Sequence, residues 1–410
     1  MSTQRIINQY QKSANVSQIT EALLKEKNHF QISNLVGSSV SFVISETFKK
    51  ANRPYLLILN DKEEAAYYLN DLEQLLGTKN VLFYPGSYRR PYQIEETDNA
   101  NVLLRSEVLN RINSRKKPAV IVSYPTALFE KVVTKKELEK NTLKVTVGER
   151  LSLDFVNEIL FEYKFKRVDF VTEPGDFSVR GGIIDVFSFS NDEPYRIEFF
   201  GNDIDSIRTF DVETQLSKEQ LKKISIIPNI ENKTLEENRE SFLSYITSKT
   251  IIFAKNITLI SDKLDKFFAK AKDDFNGVSK EIRHLKPKEL FCDGSFFKKQ
   301  IQEFSLVHFG SVNGVLETSQ VDVIRFNTLP QPSFNKQFNL LIENLEAYHK
   351  AAFSNYIFCA TDQQAKRFQD IFNDSEQEVH YETIVFPLYQ GFIDIENKIV
   401  CYTDHEIFER

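Results

Sequence analysis

The sequence predicts an α/β protein. It reads as a parallel-sheet domain with a degenerate phosphate loop, an inserted α+β domain carrying an antiparallel meander, and a small carboxy-terminal α/β domain. Short apolar runs alternate with helical stretches over the first 125 residues, the order that builds βαβ units. The pattern then changes to closely spaced runs divided by turn residues in "GGIIDVFSFSNDEPYRIEFFGNDIDSIRTFD". Past Pro330-Gln331-Pro332, helical and strand-like stretches alternate again. A chain of 410 residues is too long for one ordinary core, and the expected units are 1–126, 127–213, 214–329 and 330–410.

Each element has its own reason. Pro54–Leu59, Val81–Tyr84 and Ala119–Tyr124 are short and rich in β-branched or aromatic residues, as strands buried on both faces of a parallel sheet are. Helices are expected between and around them, over about 38–50, 62–77 and 97–113. In the meander, the alternation along Tyr195–Phe200 places Arg196 and Glu198 on one face and Ile197 and Phe199 on the other. "KTIIFAKNITLI" supplies a strand, followed by a helix with Leu264, Phe267, Phe268, Ala271 and Phe275 on one stripe. Residues 273–288 are charged and turn-rich and are expected to form a loop, and 305–310 a strand. The last unit should hold a helix carrying Phe338, Leu341, Ile342, Leu345 and Tyr348, a strand Asn355–Cys359, a helix Asp362–Phe372, and strands near 380–386 and 398–403.

Composition narrows the function. The net charge of −6 argues against a surface built wholly for nucleic acid, although a local basic patch is compatible with it. The three cysteines, Cys292, Cys359 and Cys401, are far apart, so neither a disulfide framework nor a zinc site is expected, and a reduced cytoplasmic compartment fits. The start "MSTQRIINQYQKS" lacks the apolar core of a signal peptide, and no run is long enough to span a bilayer. The end, "YTDHEIFER", has no tail or helix stop, which leads us to expect a piece of a longer chain.

Several stretches could carry chemistry. Gly37-Ser38-Ser39-Val40-Ser41-Phe42 can be laid over the end of a phosphate loop, but Val40 falls where the lysine should be and Ser39 on the last glycine. Valine cannot neutralise phosphate charge, and no apolar strand ends in the Asp-Glu pair that would hold the Mg²⁺ water. The six histidines, His29, His284, His308, His349, His380 and His405, never fall at metal-ligand spacing, and no catalytic residue or metal is expected. Asp203 and Asp205 belong to hairpin-turn chemistry. "YPGSYRRPYQ" (84–93) interleaves tyrosines with Arg89 and Arg90; it fits a nucleic-acid contact through Tyr88–Tyr92, or simply a loop after a strand. In and beside the meander lie Arg167, Arg180, Arg196 and Glu198, with Phe187. Arginines beside an aromatic are what protein interfaces enrich, while a solvated strand face is the plainer reading.

The stretch "RVDFVTEPGDFSVRGGIIDVFSFSNDEPYRIEFFGNDIDSIRTFDVETQ" (167–215) resembles the module shared by the excision-repair protein UvrB and the transcription-repair coupling factors (Mfd). "GDFSVRGGIIDVF", "YRIEFFGNDIDSIRTFD", "YPTALFEKVV", "GERLS" and the closing "YTDHEIFER" look more like the coupling factors. The resemblance implies a split UvrB-like first domain (1A and 1B) whose ATPase is lost, an inserted second domain that binds UvrA, and a third domain. The polymerase-binding part and the ATP- and Mg²⁺-dependent DNA translocase would lie beyond these residues, so no cofactor is expected here. Where UvrB-like proteins carry Gly-x-Gly-Lys-Thr-Phe, this chain has Val40 for Lys and Ser41 for Thr, with Phe42 kept. Where UvrB carries a long tyrosine-rich hairpin, this chain has the shorter Phe83–Gln93 stretch. The UvrA-contact positions carry over to Arg167, Arg180, Arg196 and Glu198, with Phe187 beside them, and UvrB has a further arginine where this chain has Ser178. The implied role is an ATPase-silent module that docks UvrA and, through contact with the translocase part, helps autoinhibit the whole protein. RNA polymerase and DNA would be reached through the parts beyond. The rival reading is an active UvrB-like ATP-dependent DNA-binding or helicase subunit, against which stand the missing lysine and the missing Asp-Glu strand end.

Overall fold

Seven strands make one parallel sheet, in the order Asp322–Arg325, His29–Ser33, Ser305–His308, Ile251–Ala254, Tyr55–Ile58, Val120–Ser123 and Val81–Tyr84. The computed structural model describes residues 2–25, 27–87, 99–113, 117–229, 238–277, 285–310, 322–373 and 378–408. Strands from before residue 125 and after residue 250 interleave, since Tyr55 aligns with Val120 on one side and with Ile251 on the other. Neither half could close the sheet alone, and everything between them is an insertion.

Helices Ser39–Ala51, Lys62–Leu76 and Asn99–Asn113 lie where the pattern placed them. The second begins at Asp61, whose carboxylate accepts the Glu64 N–H at 2.9 Å, satisfying one of the open donors of a helix start. Helices Ser2–Lys12 and Ala14–Leu24 and strand His29–Ser33 are additions to the expected elements. "HFQIS" is short and carries Gln31 at its centre, yet Phe30 and Ile32 both enter the core. Of the loop expected over 273–288, residues 278–284 lie outside the described residues, and its first part is helix. Helix Ile257–Gly277 runs four residues past Asp273, because exposed Lys and Asp side chains cost a helix little once Leu264, Phe268 and Ala271 bury the opposite stripe. Pro287–Leu290 is a helical turn.

The insertion leaves and rejoins the sheet unit through paired strands. Val132–Val133 pairs with Arg239–Glu240, and Leu143–Thr146 with Lys223–Ile226, both antiparallel. Beyond this stem stands a six-stranded sheet in the order Ser217–Leu221, Asp203–Phe210, Tyr195–Phe200, Ile183–Val186, Asp176–Arg180 and Lys166–Arg167. It is the expected meander; its ladder passes residue 213 to take in Ser217–Leu221.

The carboxy-terminal unit has a mixed five-stranded sheet, in the order Thr328–Pro330, Phe392–Asp394, Ile399–Thr403, Ser354–Cys359 and Glu382–Val385. Period-two alternation divides it cleanly. Ile357, Cys359, Ile393, Val400 and Tyr402 pack under helices Phe338–Lys350 and Asp362–Asn373. Tyr356, Phe358, Phe392, Ile399 and Cys401 face the other way and join the core of the parallel-sheet unit. The third unit therefore shares its core with the first.

Candidate protein-docking face

Turn chemistry fixes the register of the inserted sheet. Gly181 (φ +59°) and Gly201 (φ +64°) take the left-handed conformation at the tips of two hairpins, where a side chain would be strained. With the turns set, five residues fall in line across five strands: Ser178, Asp185, Arg196, Arg208 and Gln220. A second row on the same face runs Arg180, Ile183, Glu198, Ser206. The opposite face, with Phe177, Ile184, Val186, Tyr195, Ile197 and Ile207, is core.

Arg196 and Arg208 stand directly opposite each other, a like-charge pairing that would destabilise the ladder. Two carboxylates resolve it. Asp185, 1% exposed, accepts from Arg196 Nε at 2.7 Å and Nη2 at 2.9 Å, and from Arg180 Nη2 at 2.5 Å. Glu198 pairs with Arg208 and accepts the Ser206 hydroxyl at 2.6 Å. The forked geometry on Asp185 is the strong form of this contact, and the hydrogen bond to Asp185 raises the Arg196 pKa above its ordinary value.

The aromatic support lies under the same face. Phe187 and Phe210 form a small cluster with Val171. The Arg196 guanidinium rests 4.5 Å from the Phe210 ring centre, and Arg180 lies 5.3 Å from that of exposed Phe170. The turn after Phe210 closes over this cluster. Asp211 accepts the Thr214 N–H at 2.9 Å, which with Lys218 holds its carboxyl well below the usual carboxylate range, and the Gln215 carbonyl accepts Arg196 Nη1 at 3.2 Å.

The structure thus gathers Arg180, Arg196 and Glu198 on one face, with Phe187 buried in the small cluster beside them rather than exposed. Arg167 is exposed on the edge strand, in register with Phe177, on the row opposite to that of Asp185. Sequence reading missed Asp185, Arg208 and Phe210. Asp185 sits two residues into an apolar run, and its partners come from the strands on either side. Counting the ladder outward from the Gly181-Gly182 turn aligns it only with Ser178, and its register with Arg196 is set by the 187–194 connection. Ser178 lies in the Asp185 row, and the Asp185 carboxylate holds two guanidiniums.

The other candidate stretches have different fates. Helix Ser39–Ala51 is buried over its first ten residues, and the Val40 side chain packs in the main core. Ser39 Oγ donates to the Val36 carbonyl at 2.5 Å, and Ser41 Oγ to Asp71 Oδ2 at 3.1 Å. Tyr84–Ser87 is held by a buried ion pair: Glu130 accepts the Ser87 N–H at 3.0 Å and hydroxyl at 2.6 Å, and Arg105, 3.4 Å from Glu130, donates to the Pro85 carbonyl at 2.9 Å. The Tyr88–Tyr92 stretch lies outside the described residues. Among the described residues, no three His, Cys, Asp or Glu side chains are grouped to hold a metal ion, and no helix is long and apolar enough to cross a membrane.

The inner pair of the stem and the sheet coincide with a known module. Residues 143–231 match the UvrB interaction domain. The match starts at Leu143, the first residue of the inner stem strand, and takes in the whole meander. The chain is also similar to transcription-repair-coupling factors. That of Bacillus subtilis (strain 168) is 32% identical over 48% of this chain and 17% of its own length. That of Staphylococcus aureus (strain bovine RF122 / ET3-1) is 24% identical over 95% of this chain and 40% of its own length, and that of strain MRSA252 gives the same figures. The chain therefore spans well under half of the relatives it matches. The matched residues include the whole inserted sheet, so the charged face described above lies within the match.

Proposed function

We propose that this chain binds UvrA through the charged face of its UvrB interaction domain, so that excision repair is recruited to stalled RNA polymerase. The single observation that carries this reading is Asp185, a buried carboxylate that orders Arg180 and Arg196 on an open sheet face inside that domain. Arginine has five donors in a fixed fork, and those not spent on Asp185 or, for Arg196, on the Gln215 carbonyl remain to meet carboxylates or carbonyls of a partner. Three arginines on the face, Arg180, Arg196 and Arg208, outnumber Asp185 and Glu198, so the complementary UvrA surface is acidic. Exposed Phe200 and Phe170 at its margins call for apolar contacts as well.

In this reading the parallel-sheet unit is a UvrB-like scaffold that has lost hydrolysis, since Val40 stands where a phosphate-binding lysine is needed. The polymerase contact and the translocase belong to parts of the protein beyond this chain, and those parts cover the UvrA face until polymerase is engaged. Titration of the chain with UvrA tests the proposal. We expect Arg196→Ala to lose about 2–4 kcal/mol of affinity, and Arg180→Ala, whose side chain is 44% exposed, about 1 kcal/mol, with circular dichroism unchanged in both. Wild-type affinity in both variants would remove this face from the reading. Thermal stabilisation by ATP would favour the active UvrB-like alternative.

A further inference from the structure

The loop that joins strand His29–Ser33 to helix Ser39–Ala51 is occupied by the chain itself. The Ser38 N–H donates to the Gln390 carbonyl at 3.1 Å, and the Gln390 N–H returns to Ser38 Oγ at 3.0 Å. The Tyr389 N–H donates to Asp71 Oδ1 at 2.9 Å, while Ser41 Oγ donates to the other oxygen of that carboxylate. Asn70 Nδ2 reaches the Pro387 carbonyl at 3.3 Å, and Tyr67 stacks on Tyr389 with ring centres 3.8 Å apart. Gly37 has φ +57°, and a Cβ there would stand 2.6 Å from the Gly391 carbonyl oxygen, so the approach itself demands glycine. Ser38, Ser39, Ser41 and Asp71 are all buried.

A loop that receives phosphate keeps its amides and the positive end of its helix aimed at space an anion can enter. Here that end of the helix meets a carboxylate and a carbonyl, which carry the charge sign an anion would bring. We propose that Asp71 and Pro387–Gly391 are the permanent occupants of the Gly37–Ser41 loop, which serves as a dock that fixes the carboxy-terminal unit to the parallel-sheet unit. The stack of Tyr10 on Phe42, with Phe392 edge-on at 6.0 Å, is the apolar half of the same joint. Nucleotide is then excluded by occupancy as well as by the missing ammonium group. The inference stands apart from UvrA binding, because none of these residues belongs to the inserted sheet.

Amide hydrogen exchange on the wild-type chain tests it, with inorganic phosphate and ATP as probes. The Ser38, Tyr389 and Gln390 amides should be protected to the level of Leu57 in the central sheet, and neither probe should alter them. In Asp71→Ala, protection at Tyr389 and Gln390 should fall at least about tenfold, while Ile197 in the meander keeps its own. Unprotected Tyr389 and Gln390 amides in the wild type, protection that phosphate or ATP changes, or an Asp71→Ala variant with wild-type protection would each overturn the proposal. The wild-type measurements decide even if the variant does not fold.

Discussion

Asp71 and Asp185 are both 1% exposed, yet they do opposite things. Asp71 is met by neutral donors, the Ser41 hydroxyl and the Tyr389 amide, and burial pushes its carboxyl up to about 6. Asp185 is met by two guanidiniums. A hydroxyl or an amide has one proton to give, so a carboxylate answered that way ends inside the protein and ties two parts of the chain together. A guanidinium has five, and Asp185 accepts three bonds shared between two such groups. The surplus donors of half-exposed Arg180 stay at the surface, while Arg196 spends one more on the Gln215 carbonyl. Buried carboxylates thus close one region of this molecule and arm another, and the difference lies in what answers them.

Removing Asp185 should break the comparison most sharply. Asp185→Ala leaves Arg196, with a side chain only 16% exposed, held by the Gln215 carbonyl and Phe210 and facing Arg208 across the ladder. We expect a loss of about 2–4 kcal/mol of stability in urea unfolding, short of the full cost of breaking a buried pair because half-exposed Arg180 can turn into water. UvrA affinity should fall with it. A variant with wild-type stability and wild-type UvrA affinity would mean that Asp185 does not order this face.

The Asp71 region differs in how it responds to pH. Its carboxyl is raised from 3.8 to about 6, so between these values the folded chain holds a proton that the unfolded chain has released. Stability from this group therefore rises as pH falls from about 6 to about 4, by about 2–3 kcal/mol, the reverse of a salt-bridged carboxylate. Tyr68 and Tyr389, which also face this site, are both pushed upward by burial and remain neutral throughout. Urea unfolding of wild type and Asp71→Asn across this range measures it. The difference should move in favour of the wild type on acidification, and a pH-independent difference would show that Asp71 titrates normally.

Local pattern made most of the elements legible, and the meeting of distant residues was not. The alternation along Tyr195–Phe200 is local, so period two alone was enough to place Arg196 and Glu198 on one face. The Asp185 ion pairs depend on which strand lies beside which, and a polar residue within an apolar run gives no hint of that. The Gly37 loop shows the same limit more strongly. Its missing lysine is plain in the sequence, but its occupant comes from more than 340 residues away, and nothing in "FPLYQGF" marks that segment as a plug. The shared core was hidden for a related reason. Strands Ser354–Cys359 and Ile399–Thr403 are apolar on both faces, which signals burial on two sides without naming what covers either.

The smallest effect concerns Phe200, 81% exposed at the hairpin tip beyond Glu198, on the arginine side of the sheet. A large apolar ring held that far into water gains little from its own fold. Phe200→Ser should leave stability within about 0.5 kcal/mol, since a surface position away from caps and pairs tolerates change. If UvrA covers the Asp185 row and its margin, the same change should cost about 1 kcal/mol of affinity, the worth of a rim aromatic rather than a central anchor. Unchanged affinity would confine the contact to the arginines. A loss as large as that of Arg196→Ala would shift its centre to the hairpin tip, and Asp185 would then support a neighbour of the interface instead of its middle.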